Sequence, residues 1–363
     1  MKSTFHSKSR LYQSNPNAYM KNRWYAVALS KDVKPYPINQ YTKPYGTRIL
    51  GRDVIVFRDE KGILQCLDGI CPHRGAPLNI GKVIENNITC PYHGWNFDGN
   101  SGKLCKVPSC SSQIPKCMIP KYPLIEKGGF IWLFFGDKSP LRVPPVPFVP
   151  ELEDSKWKAV YGSYTFNAPH SVVFDNAIDM THIHYLHGNS FGNENNPFIK
   201  FDDKIDENDD MFTTYFKIKN KPANIFFEWT KTDYVDVKAT VFLPSTSSIQ
   251  IFLGGNVSMI TFVNTTPIDD KRSVNYYALI RNFSPWSGFD NWAENAMHKI
   301  FKEDQAMVEL LKPEKSSSPE ISLSSVDKPQ LILRKKRINA DIYDNVFVDP
   351  SETDRFMGKL FVE

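Results

Sequence analysis

Apolar residues in the first third of the chain come in short runs at strand spacing. Trp24–Leu29, Val54–Phe57 and Leu64–Leu67 are examples, and glycine- and aspartate-bearing turns separate them. This pattern predicts a small antiparallel β domain over residues 22–140. Its strongest run, Gly129–Phe135, reads as a buried strand, and no run reaches the length of a membrane span. Five prolines from Pro140 to Pro150 mark a linker, set at residues 141–156. Residues 1–21, polar and basic, are expected to form a leader.

The second half, residues 157–363, alternates differently. Strands are expected at Ala159–Phe166, Phe212–Ile218, Tyr234–Phe242, Ser248–Leu253, Met259–Asn264 and Ser273–Arg281. The last five follow one another without helices between them, so an antiparallel sheet is predicted and the fold class is α+β. Two helical segments stand out, Ser171–His184 and Phe289–Leu311. The second has an apolar stripe of Ala293, Ala296, Met297, Ile300, Met307, Val308 and Leu311. Asp304 falls inside that stripe, whereas Glu303 and Glu309 fall off it and are expected to be solvated. The loops at residues 188–204 and 282–289 receive no element.

Composition adds bounds. A chain of 363 residues has room for two domains and a sizeable core. A net charge of +4, mixed along the chain, gives no sign of a nucleic-acid partner. Aromatics make up 13% of residues, which suits β structure or a large apolar pocket. All six cysteines lie between Cys66 and Cys117, a clustering that fits a reducing compartment better than a disulfide framework. A cytoplasmic location is expected, with the plastid stroma as the alternative in a photosynthetic eukaryote. The N-terminus has no signal-peptide core, and its first acidic residue is Asp32. Neither a dinucleotide fingerprint nor a P-loop occurs.

The β domain carries the most specific chemistry. Cys71-Pro-His73-Arg-Gly and Cys90-Pro-Tyr-His93-Gly-Trp are separated so that sixteen residues lie between His73 and Cys90. Two thiolates on one iron and two imidazoles on the other make a Rieske [2Fe–2S] cluster, whose potential exceeds that of an all-cysteine cluster. The same four residue types can hold zinc, but zinc-finger spacing usually keeps the cysteine pair apart from the histidine pair. Gly75 and Gly94 are expected to let backbone N–H groups approach the sulfides, and Pro72 and Pro91 to stiffen the loops. Trp95 reads either as a lid on the cluster or as ordinary core.

A second constellation lies on the first helical segment. Asn176, Asp179 and His182 recur every three residues, and His187 follows five further on. Two imidazoles and one carboxylate on one face leave iron(II) open positions. Asp304 is the candidate carboxylate, because a buried acid wants a cation or a metal. Each residue has a plainer reading, a core histidine or a helix-pairing acid, and His184 fits either histidine position on spacing alone.

With both motifs, the chain resembles the Rieske-type mononuclear non-heme iron oxygenases, terminal oxygenase component. The resemblance implies a helix-grip catalytic domain, with His182, His187 and Asp304 binding a mononuclear Fe(II) and His184 behind them. It implies that Asp179 links His182 to the cluster ligand His93 of a neighbouring subunit in a homotrimer. It places Asn176 and Asp179 among the functional residues. O2 and a small-molecule substrate, with electrons from an external ferredoxin or NAD(P)H reductase, complete the implied system. Ala76 and Tyr92 stand where respiratory Rieske proteins carry extra cysteines, so the chain is similar to the lower-potential, oxygenase type.

The segments Asn22–Ala28, Cys90–Gly99 and Ala168–His184 look similar to the chlorophyllide and pheophorbide a oxygenase branch, which implies hydroxylation or dealkylation of an apolar ring compound, with a tetrapyrrole such as chlorophyllide or pheophorbide among the candidates. No cysteine follows Cys117 and the tail is polar, unlike plant pheophorbide-type enzymes. Small-molecule hydroxylases and demethylases share the core motifs and are the alternative. A non-catalytic Rieske electron carrier is the alternative from another class; it needs only the first 140 residues. Two basic groups, Lys217/Lys219/Lys221 and Arg334–Arg337, read as docking surfaces or as solvated faces. Phe226, Phe227 and Trp229 read as pocket lining or as core.

Overall fold

The structure is a computed structural model that describes residues 15, 17–36, 41–110, 114–188, 190, 192–219, 233–316, 321–323, 326–344 and 346–355. Lys221, Phe226, Phe227 and Trp229 lie outside the described residues. Contacts divide the chain into two compact units. One comprises residues 21–146, 266–270 and the end from 350; the other comprises residues up to 20, 147–265 and 271–349.

The chain's first strand, β1 (Tyr19–Met20), pairs antiparallel with a strand close to the other end of the second unit. Tyr19 and Met20, expected in a leader, are instead buried.

The first unit is built from short antiparallel strands. These are β2 (Arg23–Leu29), β3 (Tyr45–Ile49), β4 (Arg52–Arg58), β5 (Leu64–Asp68), β6 (Lys82–Ile84), β7 (Asn87–Thr89), β8 (Asn96–Asp98), β9 (Leu104–Lys106), β10 (Leu124–Lys127) and β11 (Phe130–Phe135). They form sheets ordered β10-β11-β2, β3-β4-β5 and β6-β7-β8-β9. Every residue of β11 is buried, as its unbroken apolar run requires. Ile55, Phe57, Leu67, Leu78, Ile88 and Phe97 form the core beneath the two cysteine loops.

The second unit holds β12 (Lys158–Phe166), α1 (His170–Ile178), α2 (Ile183–Leu186), β13 (Ile199–Glu207), β14 (Met211–Lys219), β15 (Tyr234–Phe242), β16 (Thr246–Gly254), β17 (Val257–Pro267), β18 (Ser273–Arg281), α3 (Gly288–Val308), α4 (Pro313–Ser316), α5 (Lys328–Asp344) and β19 (Phe347–Val348), the partner of β1. Its sheet has seven strands in the order β12-β18-β17-β16-β15-β14-β13. The α+β expectation of an antiparallel sheet gripping helices is borne out. Phe166, Val172, Val173, Val263, Tyr277 and Leu279 pack with Ala293, Met297, Phe301 and Val308 of α3. Ala18 and Met20 join Phe174, Ile178, Phe212, Val241 and Leu333 in another apolar cluster.

Three expectations need correction. β13 falls in a stretch expected to be loop; its sequence IKFDDKIDE is charged because it is an edge strand with mostly exposed side chains. The α3 stripe runs through Ala293, Met297, Phe301, Asp304 and Val308. Met307 and Leu311 are exposed: the buried face passes through Phe301 instead, and Leu311 lies beyond the helix end. The basic group on α5 is not a free patch. Arg334 faces Asp175 at 3.4 Å, Lys336 pairs with Glu207 at 2.9 Å, and buried Arg337 donates to the Pro244 carbonyl. Lys217 likewise pairs with Asp236 at 2.7 Å. Among the described residues no helix is long and apolar enough to cross a membrane.

Candidate metal centres

The two cysteine loops of the first unit are built alike. Cys71 N–H donates to Ala76 O and Cys90 N–H to Trp95 O, each a span of five residues. Gly75 N–H returns to Cys71 O, and Gly94 N–H to Cys90 O. Both glycines sit at positive φ, +69° and +70°, where a side chain would be strained. Their own amides close the turns, and the positive φ lets each loop fold back on its cysteine.

The loops bring four donors together. Cys71 and Cys90 are buried, and their thiols interact directly. Burial pushes the Cys71 thiol up to about 11, with the backbone amides of His73 and Arg74 opposing and the Cys90 thiol adding to the rise. Such a pair becomes dithiolate readily only when a metal takes up the charge. The His73 and His93 rings lie 4.7 Å apart. His73 Nδ1 is buried without a hydrogen-bond partner, a state a metal relieves. Trp95 stacks on His73 at 4.3 Å with an interplanar angle of 5° and also packs against the core beneath the loops, so it is at once a cover for His73 and part of the core.

In the second unit, the helical segment expected at Ser171–His184 breaks in the middle. Asp179 is extended (φ −80°, ψ 120°) and ends α1. His182 and His187 then cap the two ends of the one-turn α2. That single turn is how imidazoles five residues apart converge. His182 Nε2 lies 3.3 Å from His187 Nε2 and 3.6 Å from Asp304 Oδ1, and His187 Nε2 lies 3.2 Å from Asp304 Oδ1. Two ligand atoms about 2.1 Å from one ion at near right angles would sit about 3 Å apart. The trio fits one metal ion, and it is the only such group found among the described residues.

The surroundings orient the trio. Asn176 Nδ2 donates to Asp304 Oδ1 at 3.0 Å. Burial alone would raise the Asp304 carboxyl, but His187, His182 and Asn176 hold it below the ordinary range. Burial lowers His182; Asp304 and Asp179 oppose this without overcoming it. At His187 burial also pulls downward, but Asp304 and Glu303 outweigh it and the imidazole is raised.

Glu303 departs from expectation. It is not simply solvated: His187 Nδ1 lies 2.8 Å from Oε2, and Ser190 Oγ donates to Oε1 at 2.7 Å. A carboxylate acceptor fixes the proton on Nδ1 and leaves Nε2 free for an ion. Nothing in the helical stripe marks this role, because the partner, Ser190, lies in a loop. Glu303→Ala is expected to weaken Fe(II) binding by about 10–100-fold. Chelator competition should show this while the Rieske absorption stays as in the native protein.

Asp179 also differs. Its Oδ1 accepts from Thr181 N–H at 2.7 Å and Thr181 Oγ1 at 2.6 Å, while Oδ2 stands 3.9 Å from His182 Nδ1. The expected hydrogen bond to His182 is therefore not made, and His182 Nδ1 is buried without a partner. His184 is outside the trio; its Nδ1 accepts from Asn193 N–H at 3.2 Å. A cavity of about 140 Å³ adjoins the trio, with mainly apolar walls.

Comparison with known proteins agrees with this layout. Residues 23–123 match the Rieske [2Fe-2S] domain, and residues 166–340 match the vanillate O-demethylase oxygenase C-terminal domain. Chlorophyllide a oxygenase of Arabidopsis thaliana is 32% identical over 178 residues, 48% of this chain and 30% of that protein. The 4beta-methylsterol monooxygenase of Methylococcus capsulatus is 34% identical over 171 residues, 46% of this chain and 44% of that protein. The matches thus span less than half the length of these relatives. Dicamba monooxygenase bound to dicamba shares the fold at a TM-score of 0.73, with 20% identity, 90% of this chain and 99% of that chain covered. NdmA of Pseudomonas putida CBB5 with caffeine superposes at 0.70, with 20% identity, covering 86% of this chain and 89% of that chain.

Proposed function

The chain belongs to the Rieske-type non-heme iron oxygenases, and we propose that it acts as the terminal oxygenase component of such a system. Its cofactors are a Rieske [2Fe–2S] cluster and a mononuclear iron. Cys71, His73, Cys90 and His93 would hold the cluster, and His182, His187 and Asp304 the single iron. When bound, the cluster supplies single electrons and the iron supplies O2 activation at positions the protein leaves open. The reaction class is hydroxylation of an apolar substrate, or dealkylation that follows hydroxylation of its methyl group. The methylsterol monooxygenase and chlorophyllide oxygenase relatives favour this class by name.

The chain's own residues prepare the site. Asn176 fixes the Asp304 carboxylate, and Glu303 fixes the His187 tautomer. The apolar wall beside the trio would hold an apolar substrate and position its C–H bond. Electrons would come from a separate ferredoxin or reductase. A homotrimer would place His93 of one subunit near Asp179 of the next.

The observation that carries this reading is the convergence of His182 Nε2, His187 Nε2 and Asp304 Oδ1 within 4.8 Å of one another. An electron carrier needs no such trio. Purified protein is expected to hold about three irons per chain, two in the cluster and one outside it. Iron counting with cluster spectroscopy checks this; two irons, unchanged by His187→Ala, would favour the carrier.

A further inference from the structure

The cavity beside the trio has an uneven distribution of polar groups. Phe166, Val173, Ile249, Ile251, Val263 and Phe301 contribute apolar wall. Among the described residues no lysine or arginine lines it; the charged or titratable lining groups are Asp179, His182, His187 and Asp304. A buried anion there would have only the ion at the trio as counter-charge. That ion's charge is already met by Asp304, with Asp179 and Glu303 beside the imidazoles. An anionic substrate would pay desolvation without a dedicated partner.

One hydroxyl on the wall is unusual. Ser247, on β16, is 1% exposed and lines the cavity, yet its Oγ has no hydrogen-bond partner. Its neighbours are satisfied: Ser245 Oγ donates to Thr265 O at 2.6 Å, and Thr246 Oγ1 to Asn264 Oδ1 at 2.9 Å. The same sheet also leaves the Thr214 and Tyr277 hydroxyls without a partner, but of the three only Ser247 lines the cavity, where a ligand can supply one. Asn275, 2% exposed and also on the cavity wall, spends its amide oxygen on the Thr265 hydroxyl at 2.8 Å. Its NH2 group has no partner among the described residues.

We infer that the substrate is an uncharged, mainly apolar ring compound with one hydrogen-bonding group, an alcohol, phenol or ketone, anchored by the Ser247 hydroxyl. This rests on the oxygenase reading and narrows it. The volume agrees: a cavity of about 150 Å³ takes a benzene-sized ring, and the space here is about 140 Å³. A single ring next to the iron is the expected occupant.

The test is anaerobic calorimetry on the iron-loaded protein with three matched probes: 4-methylphenol, toluene and 4-methylbenzoate. Because it reads binding without turnover, it needs no electron donor. 4-Methylphenol is expected to bind about tenfold more tightly than toluene, and 4-methylbenzoate not measurably. In Ser247→Ala the phenol should fall to the level of toluene, with toluene itself unchanged. Ser247→Cys, which keeps the volume, should fall between the two. Iron content and the cluster spectrum report folding of each variant. If native protein binds the benzoate as well as the phenol, or binds none of the probes, the inference is wrong. It is equally wrong if either variant with full iron content keeps the native phenol preference. A chain with only two irons would overturn the oxygenase reading instead, so the two failures are distinct.

Discussion

Asp304→Ala is expected to remove the mononuclear iron, leave the Rieske spectrum unchanged and abolish O2-dependent turnover. Iron should fall from about three to about two per chain. Asp304 supplies the only carboxylate oxygen in the trio, 3.2 Å from His187 Nε2 and 3.6 Å from His182 Nε2. Without it, two imidazoles face each other at 3.3 Å with no negative charge to offset a bound cation. The cluster ligands belong to the other compact unit, so their environment is not altered directly. Asp304→Asn separates charge from shape: it can keep the Asn176 contact but loses the anion, and it should also lose the iron. His184→Ala serves as control and should keep three irons, because His184 is bonded to the Asn193 amide instead. Metal analysis and the cluster absorption of the three variants decide the matter. Retention of the third iron in Asp304→Ala, or its loss in His184→Ala, would refute the assignment.

The parts of this molecule that were legible in its sequence are those where a short-range rule acts alone. Strands β15 and β18 occur at their expected residues, because apolar and β-branched runs bounded by turns have few other solutions. The cysteine loops were legible because their ligands are close in sequence. The trio was legible in type, but its geometry depends on the break at Asp179, which the repeating Asn176, Asp179, His182 spacing conceals. β13 was missed because an edge strand needs little apolar surface. Helix α5 was missed because its arginines and lysines look solvated until Asp175, Glu207 and the Pro244 carbonyl are placed against them. Glu303 could not be found from its own helix. Its function arises from two partners outside that helix, His187 and Ser190, and tertiary placement alone brings them within reach.

Asp179→Asn is expected to keep both metals and still slow electron transfer between them by about a hundredfold or more. The native carboxylate is divided. Thr181 occupies Oδ1 through its N–H and its hydroxyl, while Oδ2 remains 3.9 Å from the unpartnered, buried Nδ1 of His182. A charge held so near an orphan imidazole nitrogen favours the proton on Nδ1 and directs Nε2 to the metal. In the proposed trimer the same carboxylate would accept from His93 of the partner subunit and connect the two centres. Asparagine keeps the size and can keep the oxygen that Thr181 holds, but the group facing His182 becomes neutral. Iron content should therefore stay at about three per chain while the coupling is lost. Thr181→Ala separates position from charge: it removes the hydroxyl bond but keeps the backbone N–H bond to Oδ1, so the carboxylate is loosened without being neutralised, and a smaller slowing is expected. The measurement is stopped-flow reoxidation of the pre-reduced cluster on mixing with O2 and a substrate that binds. Native reoxidation rates in Asp179→Asn would remove the bridging role, and full activity from a strict monomer would remove the trimer on which it depends.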